Sequence, residues 1–577
     1  MKIVLAAINA KYIHSNLAVY NLKAYANEYA QQIEIAEYTI NQYTNQIFMD
    51  LYKRKPDILA FSCYIWNTDY VRELIVNIKK VLPSISIWLG GPEVSYDAVK
   101  VLEEYPEVDT VLCGEGEAVF YELLQCANNQ KNIEDVKGVV YRKQDKIIQN
   151  AMREPMNLSD IPFIYHDLKP FENKIIYYES SRGCPFSCSY CLSSIDKRLR
   201  FRNLELVKKE LQYFLDAQVS QVKFIDRTFN CKREHAYAIW SYLQEHDNGV
   251  TNFHFEVAAD LFSEKEIQLF RRMRPGLIQL EIGVQSTNED TITEIHRTMD
   301  FSKVANIVTM IQQTGNVHQH LDLIVGLPFE GYQRFVQSFN QVYALRAEQL
   351  QLGFLKVLKG SYMEEQKVAY ELVYMSKPPY EVLSTKWLSY EEILHLKGVE
   401  EMVEVYYNSG QFEYTIPYLE KRFHTPFALY ETLSDFYESK GLHLLKHNRV
   451  TRYEILFEFV KLHDSERIEQ YQELLAYDLY LRENVKNRPT FLGKDKNEEQ
   501  EIVAFYNKEE QEFRYLKEYK GFGKRQLRKM THIETFLFDV MGDMCPMRCV
   551  LLFDYKNRNP LTHQAQVISL AKEMQKV

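Results

Sequence analysis

Apolar residues fall into short runs along the first part of the chain, and each run hands over to a stretch of helical period. "KIVLAAI" precedes Asn16–Ala30, "DILAFSC" precedes Thr68–Val81, "SISIWLGG" precedes "YDAVKVLEEY", and "DTVLCGEGE" precedes "AVFYELLQC". Strands apolar on both faces, each followed by a helix, predict a parallel sheet covered on both sides, hence a doubly wound α/β domain over residues 1–135. Residues 136–170 read as a connector, with a hairpin in "GVVYRKQDKIIQ" and prolines interrupting "REPMNLSDIPFIYHD". A second series follows over residues 171–367: "KIIYYES", "QVKFIDRTFN", "FHFEVAAD", "LIQLEIGVQS", "QHLDLIVGLP" and "QLQLGFLKVL", with helical stretches between. Six strand–helix units are too few to close an eight-fold ring and predict a partial (β/α)6 barrel. Residues 368–577 are charged and tyrosine-rich with helical period. "SYEEILHLKGVEEMVEVYYNSG" is an example, with Ser389 and Glu392 spaced as a capping box. This region is expected to be mostly α-helical, with a little sheet near "TFLFDV" and "RCVLLFDY".

A chain of 577 residues exceeds what one core serves, which agrees with several domains. Nine unevenly spread cysteines do not form a disulfide framework, the apolar run at the N-terminus is too short for a signal-peptide core, and no window suits a membrane helix. A cytoplasmic protein with free thiols is expected. The net charge of −10 argues against nucleic acid as a partner, although "DKRLRFR" is a local basic patch.

In a doubly wound sheet the ligand sits beyond the carboxyl ends of the strands. Three unusual segments fall there: "FSCYIWN" with Ser62 and Asn67; "GGPEVS" with Gly90, Gly91, Pro92 and Glu93; and "CGEGE" with Gly114, Glu115, Gly116 and Glu117. Three such turns around one crevice favour a bound group. The sharper signal is "SSRGCPFSCSYC", which places Cys184, Cys188 and Cys191 after the first strand of the barrel series. Structural zinc asks for four ligands, and no fourth thiol lies nearby in sequence. Three thiolates on a [4Fe-4S] cluster leave one iron open.

That Cys-x3-Cys-x2-Cys spacing, with Tyr190 before the last thiol, resembles the radical S-adenosylmethionine (radical SAM) superfamily. The resemblance implies that the cluster binds SAM and cleaves it reductively to a 5′-deoxyadenosyl radical. It also makes Asp226 and Arg227 in "FIDRTFN" candidates near the methionine amino group. In the same way Glu281, Gln285 and Ser286 of "EIGVQS", and Gly326 and Glu330 of "DLIVGLPFEG", become candidate cofactor contacts. An α/β domain directly before such a barrel resembles the cobalamin-binding domain of the B12-dependent branch. The Asp-x-His-x-x-Gly signature of the cobalt-ligating histidine is absent, however. His14 in "NAKYIHSN" is spaced differently, which leaves the lower ligand open. The tail resembles the uncharacterised domain found in a subset of these proteins, and its Cys545 and Cys549 suit free thiols or a redox pair better than a cluster.

The resemblance therefore implies a cobalamin-dependent radical SAM enzyme that functionalises an unactivated carbon, with methyl transfer foremost and a radical rearrangement or cyclisation second. The expected substrate is a small molecule or peptide, served by an electron donor such as flavodoxin or ferredoxin. A methylthiotransferase is the competing enzyme class, but its further N-terminal cluster cysteines are not matched by Cys63, Cys113 and Cys126. An iron–sulfur or B12 sensor is the non-enzymatic alternative.

Overall fold

The computed structural model describes residues 1–485, 487–493 and 499–570. Seven strands build the first sheet: β1 (Ile3–Asn9), β2 (Ile33–Thr39), β3 (Ile58–Ser62), β4 (Ser86–Gly90), β5 (Thr110–Leu112), β6 (Val139–Lys143) and β7 (Lys146–Gln149), in the order β2-β1-β3-β4-β5-β6-β7. The first five are parallel, and the β6–β7 hairpin adds to β5 antiparallel. Every residue of β1 is buried. Val4, Ala6 and Ile8 pack under helices Thr44–Arg54 and Thr68–Val81, while Ile3, Leu5 and Ala7 pack under Leu17–Tyr25 and Gly116–Ala127. Burial on both faces explains why these strands read as unbroken apolar runs. The pattern did not reveal β2, because "IEIAEYT" alternates as a half-exposed edge strand does.

The second sheet orders as β15-β14-β13-β12-β11-β8, from β8 (Ile176–Tyr178), β11 (Gln221–Phe224), β12 (Asn252–Val257), β13 (Ile278–Gln285), β14 (His318–Val325) and β15 (Gln349–Phe354). Strands β8 and β11 to β14 are parallel neighbours in chain order, as the partial barrel requires. Between β8 and β11 the short strands β9 (Ser181–Arg182) and β10 (Arg200–Phe201) pair antiparallel and close off the cysteine segment as a loop. Asn203 then caps helix Leu204–Asp216 by accepting from the N–H groups of Glu205 and Leu206.

The chain forms two compact units, Met1–Arg334 with Gly353–Tyr390, and Phe335–Leu352 with Glu391–Val577. The second is mainly helical. It also contains a three-stranded antiparallel sheet from Thr531–Phe538, Pro546–Asp554 and Gln566–Ser569. Tyrosine pairs tie its core together: Tyr406 with Tyr437 at 2.8 Å and Tyr343 with Tyr430 at 3.0 Å between hydroxyls. Asp478 is buried and accepts from Tyr414 N, Thr415 N and Thr415 Oγ1, which satisfies the start of helix Thr415–Glu420. Among the described residues no helix is long and apolar enough to cross a membrane.

Candidate active site at the cysteine loop

The cysteine loop grows out of the carboxyl end of β8. Asp226, just past β11, is buried and accepts from Ser180 N (2.9 Å), Ser180 Oγ (2.6 Å) and Ser181 Oγ (2.5 Å), fixing the chain where the loop departs. Gly183 sits at φ +89°, and a Cβ there would meet Arg198 O at 2.5 Å, so the turn that starts the loop accepts glycine alone. Inside the loop Cys184 N donates to Asp196 O, Cys191 N to Cys188 O, and Ser189 N to Ile295 O. All three cysteines are free; Cys184 and Cys188 are buried and Cys191 is half-buried.

The thiols share a cavity of about 190 Å³ with Tyr190, Arg227, Glu256, Glu281, Gln285, Arg297 and Asp322 among its other walls. Apart from Tyr190, in the cysteine loop itself, and Arg297, beyond helix Glu289–Glu294, these groups come from the ends or inward positions of β11 to β14 and from the turn after β11, the face where barrel enzymes collect their chemistry. Glu281 accepts from Lys223 Nζ at 3.0 Å, and His254 Nε2 lies 3.0 Å from the same oxygen. Burial alone would raise its pKa, but the His254 contact and the Lys223 charge win and hold it down to about 2. Glu256 is its direct neighbour across the β12–β13 ladder. Burial first, and then the Glu281 charge, push the Glu256 carboxyl up. Asp322 is raised well above the carboxylate range by burial and by both glutamates. The cavity thus holds, side by side, carboxyls whose pKa values are pushed in opposite directions.

Gln285 occupies φ +70° where the β13–β14 register shifts, and its Oε1 is buried without a hydrogen-bond partner. An acceptor in that state at a cavity wall is suited to a donor on a bound molecule. Ser286, Glu330 and Gly326 do not line the cavity. Ser286 Oγ donates to Glu330 at 2.7 Å, joining the turns after β13 and β14. Gly326, at φ +94°, is required because a Cβ would lie 2.8 Å from Val382 Cγ1. Asp226 likewise spends its oxygens on the two serines. Of the candidates in the middle region, the three cysteines, Tyr190, Arg227, Glu281 and Gln285 come together on the cavity.

At the carboxyl ends of the first sheet the polar candidates serve the scaffold. Asn67 is fully buried and donates to Ile8 O and Ser62 O while accepting from Tyr64 N. Ser62 Oγ accepts from Asn16 at 3.0 Å. Gly90 ends β4, Gly91 turns at φ +112° with Cys63 O only 2.4 Å from where its Cβ would be, and Pro92 opens the short helix Pro92–Ser95. Glu93 accepts from Tyr380 and pairs with Lys359. Gly114 turns at φ +78°, and Gly116 lets helix Gly116–Ala127 approach Leu22. Glu115 pairs with Arg200 at 2.5 Å and Glu117 with Arg182 at 2.5 Å. These two carboxylates therefore grip the base of the cysteine loop. The exposed aromatic surface on the turns after these strands comes from Trp66, 40% exposed and stacked on Tyr64 at 4.5 Å, and from Tyr12 and Tyr96. His14 is engaged through Nδ1 with Tyr177 OH at 2.6 Å, and burial lowers its pKa.

The spacing of the thiols bears on what they hold. Among the described residues only Asp539, Asp543 and Cys545 bring three ligand atoms within 4.8 Å of one another. At least one pair of the loop sulfurs is therefore more than 4.8 Å apart, wider than two thiolates on one tetrahedral zinc ion with Zn–S near 2.3 Å would sit. Three free thiols on one cavity suit a cluster that keeps one iron open. In the second unit Cys545 is exposed and Cys549 buried, and neither is in a disulfide.

Three family models match in succession: the B12 binding domain over residues 3–124, the radical SAM superfamily over 178–342, and a protein of unknown function, DUF4080, over 368–553. The chain is a B12-binding radical SAM enzyme. Such an enzyme works with cobalamin, SAM and a [4Fe-4S] cluster. An uncharacterized methyltransferase of Pyrococcus horikoshii is 23% identical over 355 residues, 59% of this chain and 74% of that protein. The cobalamin-dependent radical SAM methyltransferase TokK of Streptomyces tokunonensis is 26% identical over 304 residues, 49% of this chain but only 44% of its own length. The fold is similar to the radical SAM methyltransferase TsrM of Kitasatospora setae, with a TM-score of 0.53 at 15% identity, covering 65% of this chain and 78% of that one.

The sequence reading missed Glu256, Asp322, Lys223, His254 and Arg297. The first four had a signal: each is a polar residue inside an otherwise apolar strand, "HFEV", "HLDLIV" or "VKF", which in a barrel marks an inward position. Arg297 lies in a turn, where no periodicity points it anywhere.

Proposed function

We propose that this enzyme transfers a methyl group to an unactivated carbon of a small-molecule or peptide substrate. Cys184, Cys188 and Cys191 would hold the [4Fe-4S] cluster, with SAM in the cavity beside them. The observation that carries the reading is the set of three free thiols on one cavity at the carboxyl ends of the barrel strands. When bound, the cluster and SAM supply one-electron chemistry for an unreactive C–H bond, and cobalamin supplies a transferable methyl group. The protein's share is placement. Asp226 and the β9–β10 pair hold the loop, burial keeps water from Cys184 and Cys188, and Glu281 stays ionised to accept from an ammonium or hydroxyl of the bound nucleotide. Gln285 presents an open acceptor to the same occupant. The names of these two relatives support methyl transfer, while the anaerobic magnesium-protoporphyrin IX monomethyl ester cyclase of Synechocystis, another relative, supports cyclisation as the second reading.

The test is anaerobic reconstitution with iron, sulfide and cobalamin, followed by SAM labelled with ¹³C in its methyl group. The reading predicts retained corrinoid that acquires the label. A protein that retains no corrinoid, or a corrinoid that stays unlabelled, contradicts it.

A further inference from the structure

We propose that Arg297 is a positioning residue that sets the reduction potential of the cluster, acting through Cys188; this rests on the reading that the three loop cysteines hold a [4Fe-4S] cluster. Arg297 follows helix Glu289–Glu294, and its own N–H is anchored on Ile292 O. Its Nη2 donates to Gly283 O at 2.5 Å, which aims the guanidinium across the end of β13. Nη1 then lies 3.6 Å from Cys188 Sγ and 3.4 Å from Tyr190 OH. The Nε is buried with no hydrogen-bond partner. The direct contacts of this cation are thus a carbonyl, a thiol and a phenol, with the Asp260 charge acting on it from further off across the cavity.

A cation so placed is costly unless an anion compensates it. Three thiolates around an iron–sulfur core supply that anion. The site becomes more negative when one electron arrives from a low-potential donor of the ferredoxin or flavodoxin class, a step that breaks no bond and moves no proton. A fixed positive charge and an N–H directed at a ligand sulfur stabilise the reduced form more than the oxidised one and so raise the potential. The ionised Glu281 on the same cavity works in the opposite direction but is itself paired with Lys223, and of the cavity's two arginines, Arg227 and Arg297, it is Arg297 that touches a ligand sulfur.

The experiment is an EPR-monitored redox titration of the anaerobically reconstituted full chain, comparing wild type with Arg297→Gln and Arg297→Lys. At the wild-type midpoint, the ratio of reduced to oxidised cluster in Arg297→Gln is expected to fall about tenfold, a shift of roughly 59 mV to more negative potential for one electron. Arg297→Lys, which keeps a charge but loses the planar fork, is expected to shift the same way by less. An unmoved or more positive midpoint in Arg297→Gln overturns the inference, as does a lysine variant shifted as far as glutamine. Should Arg297→Gln take up no cluster, the lysine variant decides: a negative shift supports the inference, and no shift or a positive one overturns it. A wild-type chain that assembles no [4Fe-4S] cluster defeats the underlying reading and this inference together. A normal wild-type cluster with an unmoved variant potential defeats this inference alone.

Discussion

Asp226 carries a carboxyl in a fully buried position, where burial outweighs three hydrogen bonds from Ser180 and Ser181 and pushes its pKa up to about 7. Between its ordinary value near 4 and about 7, the folded protein holds a proton that the unfolded chain has released, so stability falls as pH rises through that window. The slope from this one group reaches about 1.4 kcal/mol per pH unit. Asp226→Asn removes it. Denaturant titrations from pH 4.5 to 7.5 are expected to show the stability difference between wild type and variant shrinking toward high pH and levelling above about pH 7; a constant difference contradicts the account. Gln285 yields a second expectation from its left-handed backbone. Gln285→Gly should raise unfolding free energy by roughly 0.5–1 kcal/mol, because glycine takes that φ without the Cβ penalty, while weakening SAM binding measured by calorimetry. The chemistry of these residues was only partly legible in the sequence. Asp226 and Gln285 were both singled out by motif, but a string cannot tell a carboxylate that braces two serines from an amide that faces a cavity.

At the scale of elements, the cysteine loop is held by a ladder of two residues per strand and by charge. Arg182 pairs with Glu117, Glu115 and Glu179, and Arg200 pairs with Glu115 and Asp196. Arg182 and Glu117 are only 17% and 7% exposed, so removing one partner weakens the compensation of a poorly solvated charge. Glu117→Gln leaves Arg182 two other carboxylates, and a loss of about 1–3 kcal/mol is expected by chemical denaturation. Its iron content after reconstitution should fall with the loosened loop. A variant of wild-type stability and iron content would show the clamp to be decorative. The long strands buried on both faces were legible because periodicity records burial. The edge strand β2 was not, since Glu34 and Glu37 break its apolar run, and neither were β9 and β10, whose two residues are too few to carry a pattern.

For the molecule as a whole, the succession of a doubly wound sheet, a partial barrel and a helical region was legible from the rhythm of apolar runs. No periodicity showed that Phe335–Leu352 groups with Glu391–Val577, because that grouping rests on contacts such as Tyr343 with Tyr430, far apart in the chain. Cofactor binding should register as stability of the whole chain. Hydroxocobalamin at a hundred times its dissociation constant is expected to stabilise the folded protein by about 2.7 kcal/mol, read as a rise in melting temperature that grows with concentration. A melting temperature indifferent to corrinoid would contradict the role given to the first sheet.

The most direct test of the central claim is the product formed from SAM by the anaerobically reconstituted, reduced enzyme. Wild type is predicted to hold one [4Fe-4S] cluster per chain and to release 5′-deoxyadenosine, while Cys188→Ala does neither. Full iron loading without 5′-deoxyadenosine in wild type, or retained turnover in Cys188→Ala, would contradict it.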